Sequence, residues 1–313
     1  MTIAAIIVNY GTGKLILDHL IQIREELATV PGSHLYIVDN LSPNGDAALL
    51  TEGTTGMDDV TVIGAPRNGG FSYGNNRGFD QAIADGGYDH YYLLNPDAYP
   101  RPGCLKALLA FMAEHPKAGL VGSRLEGLDG HIQSSAFRFM SLESEFASAA
   151  KLGIFNRLFA SKRVARPPQD EAHKTDWVCG ASMLLTAEAL EKVGLMDEKY
   201  FLYFEEVDFQ RAIIKAGFEI WYVPSAHAIH LVGQSTDMKD GKQSAGTAPD
   251  YWYDSRRYYF EKNHGAAFAD KADRAWAWGK RAGGLKSLLK GQGLSSVDRD
   301  IAGLEAARKR AAS

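Results

Sequence analysis

The sequence predicts an α/β fold: a mostly parallel central sheet flanked by helices, followed by a C-terminal helical extension. Short apolar runs alternate with segments of helical spacing through the first 122 residues, the order that builds a parallel sheet. Those runs are continuously apolar rather than alternating, so both faces of the sheet are covered. From Tyr251 onwards the pattern is helical and basic.

The run Ile3–Asn9 is unbroken and β-rich, and 15–27 has apolar residues at helical spacing. Further strands are expected at 35–38, 60–63, 91–94 and 120–121, with helices at 71–84 and 104–113, the latter opened by Pro102. Residues 123–174 read as irregular, and Arg166-Pro167-Pro168 marks a loop. Beyond them come a strand at 177–185, helices at 187–193 and 204–216, and a strand at 220–223. The stretch 237–250 is almost without apolar side chains and reads as a flexible loop or lid. The expected division is therefore 1–122 and 123–236 as two halves of one domain, 237–250 as the loop, and 251–313 as the extension.

Composition narrows the class. Of 313 residues 45% are hydrophobic and 23% charged, which is ordinary for a globular chain. The N-terminal run reads as a buried strand rather than a secretory signal, and no apolar stretch approaches the ~20 residues that span a bilayer. Cys104 and Cys179 lack metal-ligand spacing and fit a reducing compartment. A cytoplasmic protein is expected. Residues 251–313 carry 13 Lys/Arg against 7 Asp/Glu, a net +6 on a chain of net −4. Within 274–297 five basic residues and no acids accompany Trp276, Trp278, Leu285, Leu288 and Leu289. That mixture suits a helix lying on anionic lipid; a basic helix packing its Trp and Leu on the body accounts for it equally well. No nucleic-acid module accompanies the charge, so no nucleic-acid partner is expected. Oligomeric state stays open.

The polar residues that could carry chemistry gather at the carboxyl ends of the predicted strands, where ligands of open α/β sheets bind. Asn9-Tyr10-Gly11-Thr12-Gly13-Lys14 follows the first strand. It lacks the third glycine of a dinucleotide fingerprint, and the first glycine and hydroxyl of a P-loop, which leaves a tight strand-to-helix turn. Asp39 in Val38-Asp39-Asn40 can accept from a ring N–H or a ribose hydroxyl, or simply cap the loop. The glycines of Arg67-Asn68-Gly69-Gly70-Phe71-Ser72-Tyr73-Gly74-Asn75-Asn76 let a backbone approach a ligand at a helix start, where anions are favoured. In Leu93-Leu94-Asn95-Pro96-Asp97, Asp97 is stiffened by Pro96 just past a buried strand. It suits Mg2+ or Mn2+, although a plain Asn-Pro-Asp turn explains the same residues. Glu205 and Glu206 open a helix, where acids complement the dipole. Being adjacent, they diverge, and one can sit in a drier pocket suited to proton abstraction. His227 and His230 end the late strand; either becomes a ligand candidate if the fold brings it to Asp97.

In this order and spacing, the segments resemble the family 2 inverting glycosyltransferases of the Rossmann-like GT-A fold, most closely the bacterial branch containing rhamnosyltransferases. The carrying residues are Ile6-Ile7-Val8-Asn9-Tyr10, Val38-Asp39-Asn40, Asn68-Gly69-Gly70-Phe71, Gly74-Asn75-Asn76 and Asn95-Pro96-Asp97. They continue in Trp177-Val178-Cys179-Gly180-Ala181, Gly194-Leu195-Met196-Asp197-Glu198, Phe204-Glu205-Glu206-Val207-Asp208 and His230.

The resemblance implies that 1–122 binds a nucleotide sugar and 123–236 forms the acceptor and catalytic half. Val8, Asn9, Tyr10, Asp39, Asn68, Gly69, Phe71, Gly74, Asn75 and Asn95 would line the nucleotide and donor. Trp177, Cys179, Gly180 and Ala181 would shape the sugar and acceptor side. Asp97 matches the last acid of the family's Asp-X-Asp metal motif, with Asn95 in place of the first, and His230 would join it in holding Mn2+ or Mg2+. Glu206 stands where the family has Asp in a Glu-Asp pair. It is the expected general base, with Glu205 its rival. The implied donor is dTDP-rhamnose, with a UDP-hexose or UDP-galactofuranose as alternatives. The implied acceptor is a glycan on a lipid carrier in cell-surface polysaccharide synthesis (O-antigen or similar), at the cytoplasmic face of the inner membrane. Two other classes compete. A nucleotidyltransferase would need a Gly-rich, basic signature near the first strand, which Asn9–Lys14 does not supply. A catalytically dead binding module would not need Asp97, Glu206 and His230 intact.

Overall fold

A computed structural model describes residues 1–231, 248–288 and 295–312. The chain divides into two compact units. One takes Met1–Phe137, Pro167–Phe201 and the described part of Glu205–Lys242; the other takes Arg138–Arg166, Leu202–Phe204 and the described part of Gln243–Ser313.

The first unit is built on a sheet. Strands β1 (Ile3–Asn9), β2 (His34–Asp39), β3 (Val60–Gly64) and β4 (His90–Leu94) lie parallel in the order β3-β2-β1-β4. Beyond β4 come β10 (Ser182–Thr186), β6 (Ala118–Glu126), β11 (Glu219–His230) and β5 (Ala98–Pro100). The strand β10 runs antiparallel to both neighbours, whereas β6 and β11 are parallel. All seven residues of β1 are buried, as expected for a strand covered on both faces.

Helices α1 (Gly13–Ala28), α2 (Asp46–Gly53), α3 (Gly70–Ala84), α4 (Cys104–Glu114) and α7 (Ala187–Val193) pack on this sheet, where the short strand β8 (His173–Lys174) also pairs with β11. Helix α1 packs through Ile16, Leu20, Ile23 and Leu27, one face of a 3.6-residue period. In α3 two of the inward positions are the glycines Gly74 and Gly78. A methyl group on Gly74 would overlap Val8, and one on Gly78 would overlap Ile6, so backbone meets strand directly.

The run expected as one strand at 177–185 is two: β9 (Trp177–Val178), paired with β7 (Ala136–Phe137), and then β10. The break falls at Cys179–Ala181, where the chain turns between the sheets. The region 123–174 is more regular than its polarity suggested. The strand β6 continues to Glu126, and helices α5 (Leu142–Ala150) and α6 (Gly153–Leu158) follow. The Ala- and Ser-rich α5 lacks a large apolar stripe, which is why its period is faint. A reciprocal capping box between Ser141 and Ser144 starts it.

In the second unit, α5 and α6 join α9 (Asp250–His264), α10 (Ala266–Leu288) and α11 (Ser295–Ala312). Gly279 and Gly283 bring α10 onto the backbone of α5 at Phe146 and Ala150, where no side chain would fit. Arg256 is fully buried between Glu145 and Asp273. Of the expected lid at 237–250, residues 237–247 lie outside the described residues, and Asp250 opens α9.

Candidate active site

The carboxyl ends of β1, β2 and β4 sit side by side, with Asn9 in register with Asp39 and Ile7 with Leu94. The Asn9 side chain is wholly occupied there. Its amide donates to Asp39 (2.8 Å), Ser42 (3.1 Å) and Asp46 (3.1 Å), and its carbonyl accepts from the Thr12 N–H and hydroxyl. Asn9 is therefore a strut between strand ends, and Asp39 is fixed by it and by Ser42. Tyr10, by contrast, is 46% exposed, so its ring is free to lie against a planar ligand.

The neighbouring loop is held just as firmly. Asn40 donates to the Asn68 side chain and the Gly70 carbonyl, and Asn68 accepts from the Gly70 N–H. Gly70 has φ +86° and lies against the Phe201 carbonyl, which accepts from the Phe71 N–H. Gly69 sits so close to Tyr73 that a methyl group there would overlap the ring. Asn75 bonds back to the Phe71 carbonyl within α3, and Asn76 clamps the backbone of Met196. Gly74 and Asn75 thus have packing and helix-internal contacts.

The turn after β4 carries Asp97. The Ala98 N–H closes it onto the Asn95 carbonyl, and the Asn95 N–H ties it to the Ala181 carbonyl. Asp97 is buried, and its Oδ1 has no hydrogen-bond partner. His230, opposite Ala98 in the β5–β11 pairing, places Nε2 3.5 Å from that oxygen. His227 does not come to Asp97; its Nδ1 lies 2.9 Å from Glu126.

Gln133, which the sequence reading did not single out, fixes the Nδ1 side of the His230 ring. Its amide donates from Nε2 to the His230 carbonyl (2.8 Å), and its Oε1 lies 3.0 Å from the ring Nδ1. A carbonyl can only accept, so the amide orientation is fixed; Oε1 can only accept, so Nδ1 carries the hydrogen. In the neutral ring the lone pair on Nε2 then points at Asp97 Oδ1. Two acceptors facing one another in a buried place suit a divalent cation. An imidazole held by an outer hydrogen bond and a carboxylate are apt ligands for one. Among the described residues no cluster of three or more His, Cys, Asp or Glu side chains with metal-ligand geometry occurs. Two protein ligands would leave the remaining positions to phosphate oxygens and water.

Segment 177–181 connects this turn to α8 (Glu205–Lys215). Gln210 of α8, fully buried, makes two 2.8 Å hydrogen bonds to the Val178 backbone. Glu206, four residues earlier on the same helix face, comes against Gly180. A methyl group on Gly180 would lie 3.8 Å from Glu206 Cβ and 3.8 Å from the Phe71 ring. Burial raises the pKa of both acids, Glu205 furthest because Glu206 also repels it, while backbone N–H groups at the helix start hold Glu206 part-way down. Each has an oxygen, Oε2, without a hydrogen-bond partner. Burial, with the charges of Glu206 and Asp97, pushes the Cys179 thiol up to about 12, so it stays a neutral lining group. Trp177 stacks on Phe137, centroids 4.1 Å apart, and Ala181 is buried. Gln133 and Gln210 had no chemical motif to mark them. Only the i,i+4 spacing of Gln210 from Glu206 was readable.

This fold is shared with glycosyltransferases of known structure. The Pyrobaculum calidifontis mannosyltransferase PcManGT, solved with GDP-Man and Mn2+, superposes at TM-score 0.57 and 15% identity, covering 98% of this chain and 86% of that one. The chain belongs to glycosyltransferase family 2: the family model described as "Glycosyltransferase like family 2" matches residues 2–245. It is 34% identical over 151 residues to the Mycobacterium tuberculosis N-acetylglucosaminyl-diphospho-decaprenol L-rhamnosyltransferase, 47% of this chain and 48% of that protein. It is 23% identical to the Escherichia coli K12 rhamnosyltransferase WbbL over 72% of this chain and 81% of WbbL. The match spans about half the length of the first of these relatives. The family and its rhamnosyltransferase-like branch are those the motif order resembles.

Proposed function

We propose that the chain is an inverting glycosyltransferase that moves a sugar from a nucleoside diphosphate to an acceptor hydroxyl. The observation that carries the reading is a convergence within one unit. Asp97 Oδ1 faces His230 Nε2 without a hydrogen-bond donor, and half-buried Glu206 lies against Gly180. Asp97 and His230 would hold Mn2+ or Mg2+, which when bound supplies positive charge to the departing diphosphate. Tyr10, Asp39 and the Asn68–Gly70 loop receive the nucleotide in residues 1–122. Phe71, Trp177, Cys179, Gly180 and Ala181 wall the sugar and acceptor side of the same unit. Glu206 takes the proton of the acceptor hydroxyl as that oxygen bonds to the anomeric carbon. The bond to the diphosphate oxygen breaks on the opposite face, and the configuration inverts.

The names of the two rhamnosyltransferase relatives support rhamnose as the sugar, for which dTDP-rhamnose is the donor proposed. The decaprenol in one name supports a glycan acceptor on a lipid carrier, as in cell-surface polysaccharide synthesis. Among the described residues no helix is long and apolar enough to cross a membrane. The test offers dTDP-rhamnose, UDP-galactofuranose and UDP-hexoses in turn, with Mn2+ and a prenyl-diphosphate-linked N-acetylglucosamine. Release of dTDP with loss of turnover in EDTA and in Asp97→Ala is the expected result. Pyrophosphate release would make it a nucleotidyltransferase, no donor turnover a binding module, and full turnover in EDTA would remove the cation from the reading.

A further inference from the structure

In the helical unit, α6 and its C-terminal edge carry two apolar pairs at i,i+4 spacing, of which packing uses one. Phe155 and Phe159 set their rings edge-on to Phe146 of α5, centroids 4.9 and 6.5 Å apart. Ile154 and Leu158, each one residue earlier, are 72% and 69% exposed. Neighbouring helical residues diverge by about 100°, so the second pair forms its own outward ridge. Lys151, Arg157, Lys162 and Arg163 frame it, all exposed, and 151–163 contains no acidic residue. Single exposed aliphatics are ordinary; a stacked pair inside an acid-free basic segment is the pattern of an interfacial helix.

We infer that 151–163 docks on an anionic lipid surface, with Ile154 and Leu158 entering the headgroup–acyl boundary and the four cations meeting lipid phosphates. A second copy of the chain would set four cations against four. A nucleic acid would satisfy the cations but not the aliphatic ridge. The basic stretch 274–297 offers less, since Trp276 is buried and Lys280 is paired with Asp300 at 2.7 Å; residues 289–294 within it lie outside the described residues.

The test is flotation of the full chain, without donor or acceptor, on vesicles of phosphatidylcholine alone and of phosphatidylcholine and phosphatidylglycerol in equal parts. Binding to the mixed vesicles is expected, falling about tenfold or more in Ile154→Ser/Leu158→Ser. Arg157→Gln/Lys162→Gln/Arg163→Gln should lose the preference for the anionic lipid. Trp278→Ser should bind like the parent. The inference is overturned if the serine pair, folded by circular dichroism, floats like the parent. It is overturned equally if Trp278→Ser alone abolishes binding, or if sedimentation shows the serine pair splitting a dimer without changing flotation. Because no sugar substrate is present, failure here leaves the transferase reading untouched.

Discussion

The side-chain amide of Gln133 makes both of its hydrogen bonds to His230, one to the main-chain carbonyl at 2.8 Å and one with ring Nδ1 at 3.0 Å. Gln133 itself is located by the hairpin after β6, where its N–H donates to the Leu125 carbonyl. It therefore orients Nε2 toward Asp97 without touching that site. Gln133→Leu should weaken Mn2+ binding about 10–100-fold, measured by calorimetry with nucleoside diphosphate present. Gln133→Glu keeps an acceptor for Nδ1 and should lose less. Equal Mn2+ affinity in the parent and the leucine variant would remove Gln133 from the site.

Glu206→Gln should cut transfer by about 10²–10⁴ while donor affinity, read by thermal shift, holds. In the parent, proton abstraction requires ionised Glu206, whose carboxyl burial has raised. The rate should climb with pH and level off above the ordinary glutamate value of about 4.3. A plateau already reached at that value would exclude Glu206 as base.

Glu205 gives the opposite sign for stability. Its carboxyl is raised well above the ordinary value by burial and by Glu206, so the folded chain binds this proton more tightly than the unfolded one. The associated stability is complete below the unfolded pKa and is lost as pH rises through the folded one. At neutral pH the unfolded carboxyl is ionised freely, and the folded one is penalised for losing its proton. Glu205→Gln should therefore stabilise by about 1–2 kcal/mol at neutral pH, a gain in denaturant midpoint that vanishes in acid. A gain independent of pH would contradict this account.

Gly70→Ala combines two penalties. Its φ of +86° costs an L-residue about 1–2 kcal/mol, and the new methyl would overlap the Phe201 carbonyl. Gly56, at φ +79° with open space around it, isolates the first penalty. Urea denaturation should show Gly56→Ala losing about that strain energy and Gly70→Ala clearly more.

The parallel half was legible because strands covered on both faces leave continuous apolar runs: every residue of β1 is buried. Asp97, His230 and Glu206 were legible as residue types at element ends. The meeting of Asp97 with His230 depends on long-range pairing: β11 lies beside β5, with His230 opposite Ala98, 132 residues earlier in the chain. Asn9 shows a structural role that pattern reading leaves out. Its position at a strand end pointed to ligand, yet neighbouring Asp39, Ser42 and Asp46 consume its amide. Helix α5 was illegible for want of large apolar residues, and Gln133 and Gln210 because an amide that positions a neighbour has no signature of its own.

Arg256 tests whether burial decides the worth of an ion pair. It is fully buried with Glu145 and Asp273 as partners, whereas Arg310 meets Asp254 at 2.8 Å with both side chains more than 40% exposed. Removing one member of a buried set strands the other charges, which costs about 3–5 kcal/mol. Exposed pairs are worth about 0–1 kcal/mol because water and entropy offset the attraction. Arg256→Met should thus lower the urea midpoint of helix loss by the larger amount, while Arg310→Met stays near the parent. High salt should erase the small Arg310 effect and leave most of the Arg256 effect, since buried charges are weakly screened. Similar losses in the two variants would mean that the Arg256 cluster is open to water.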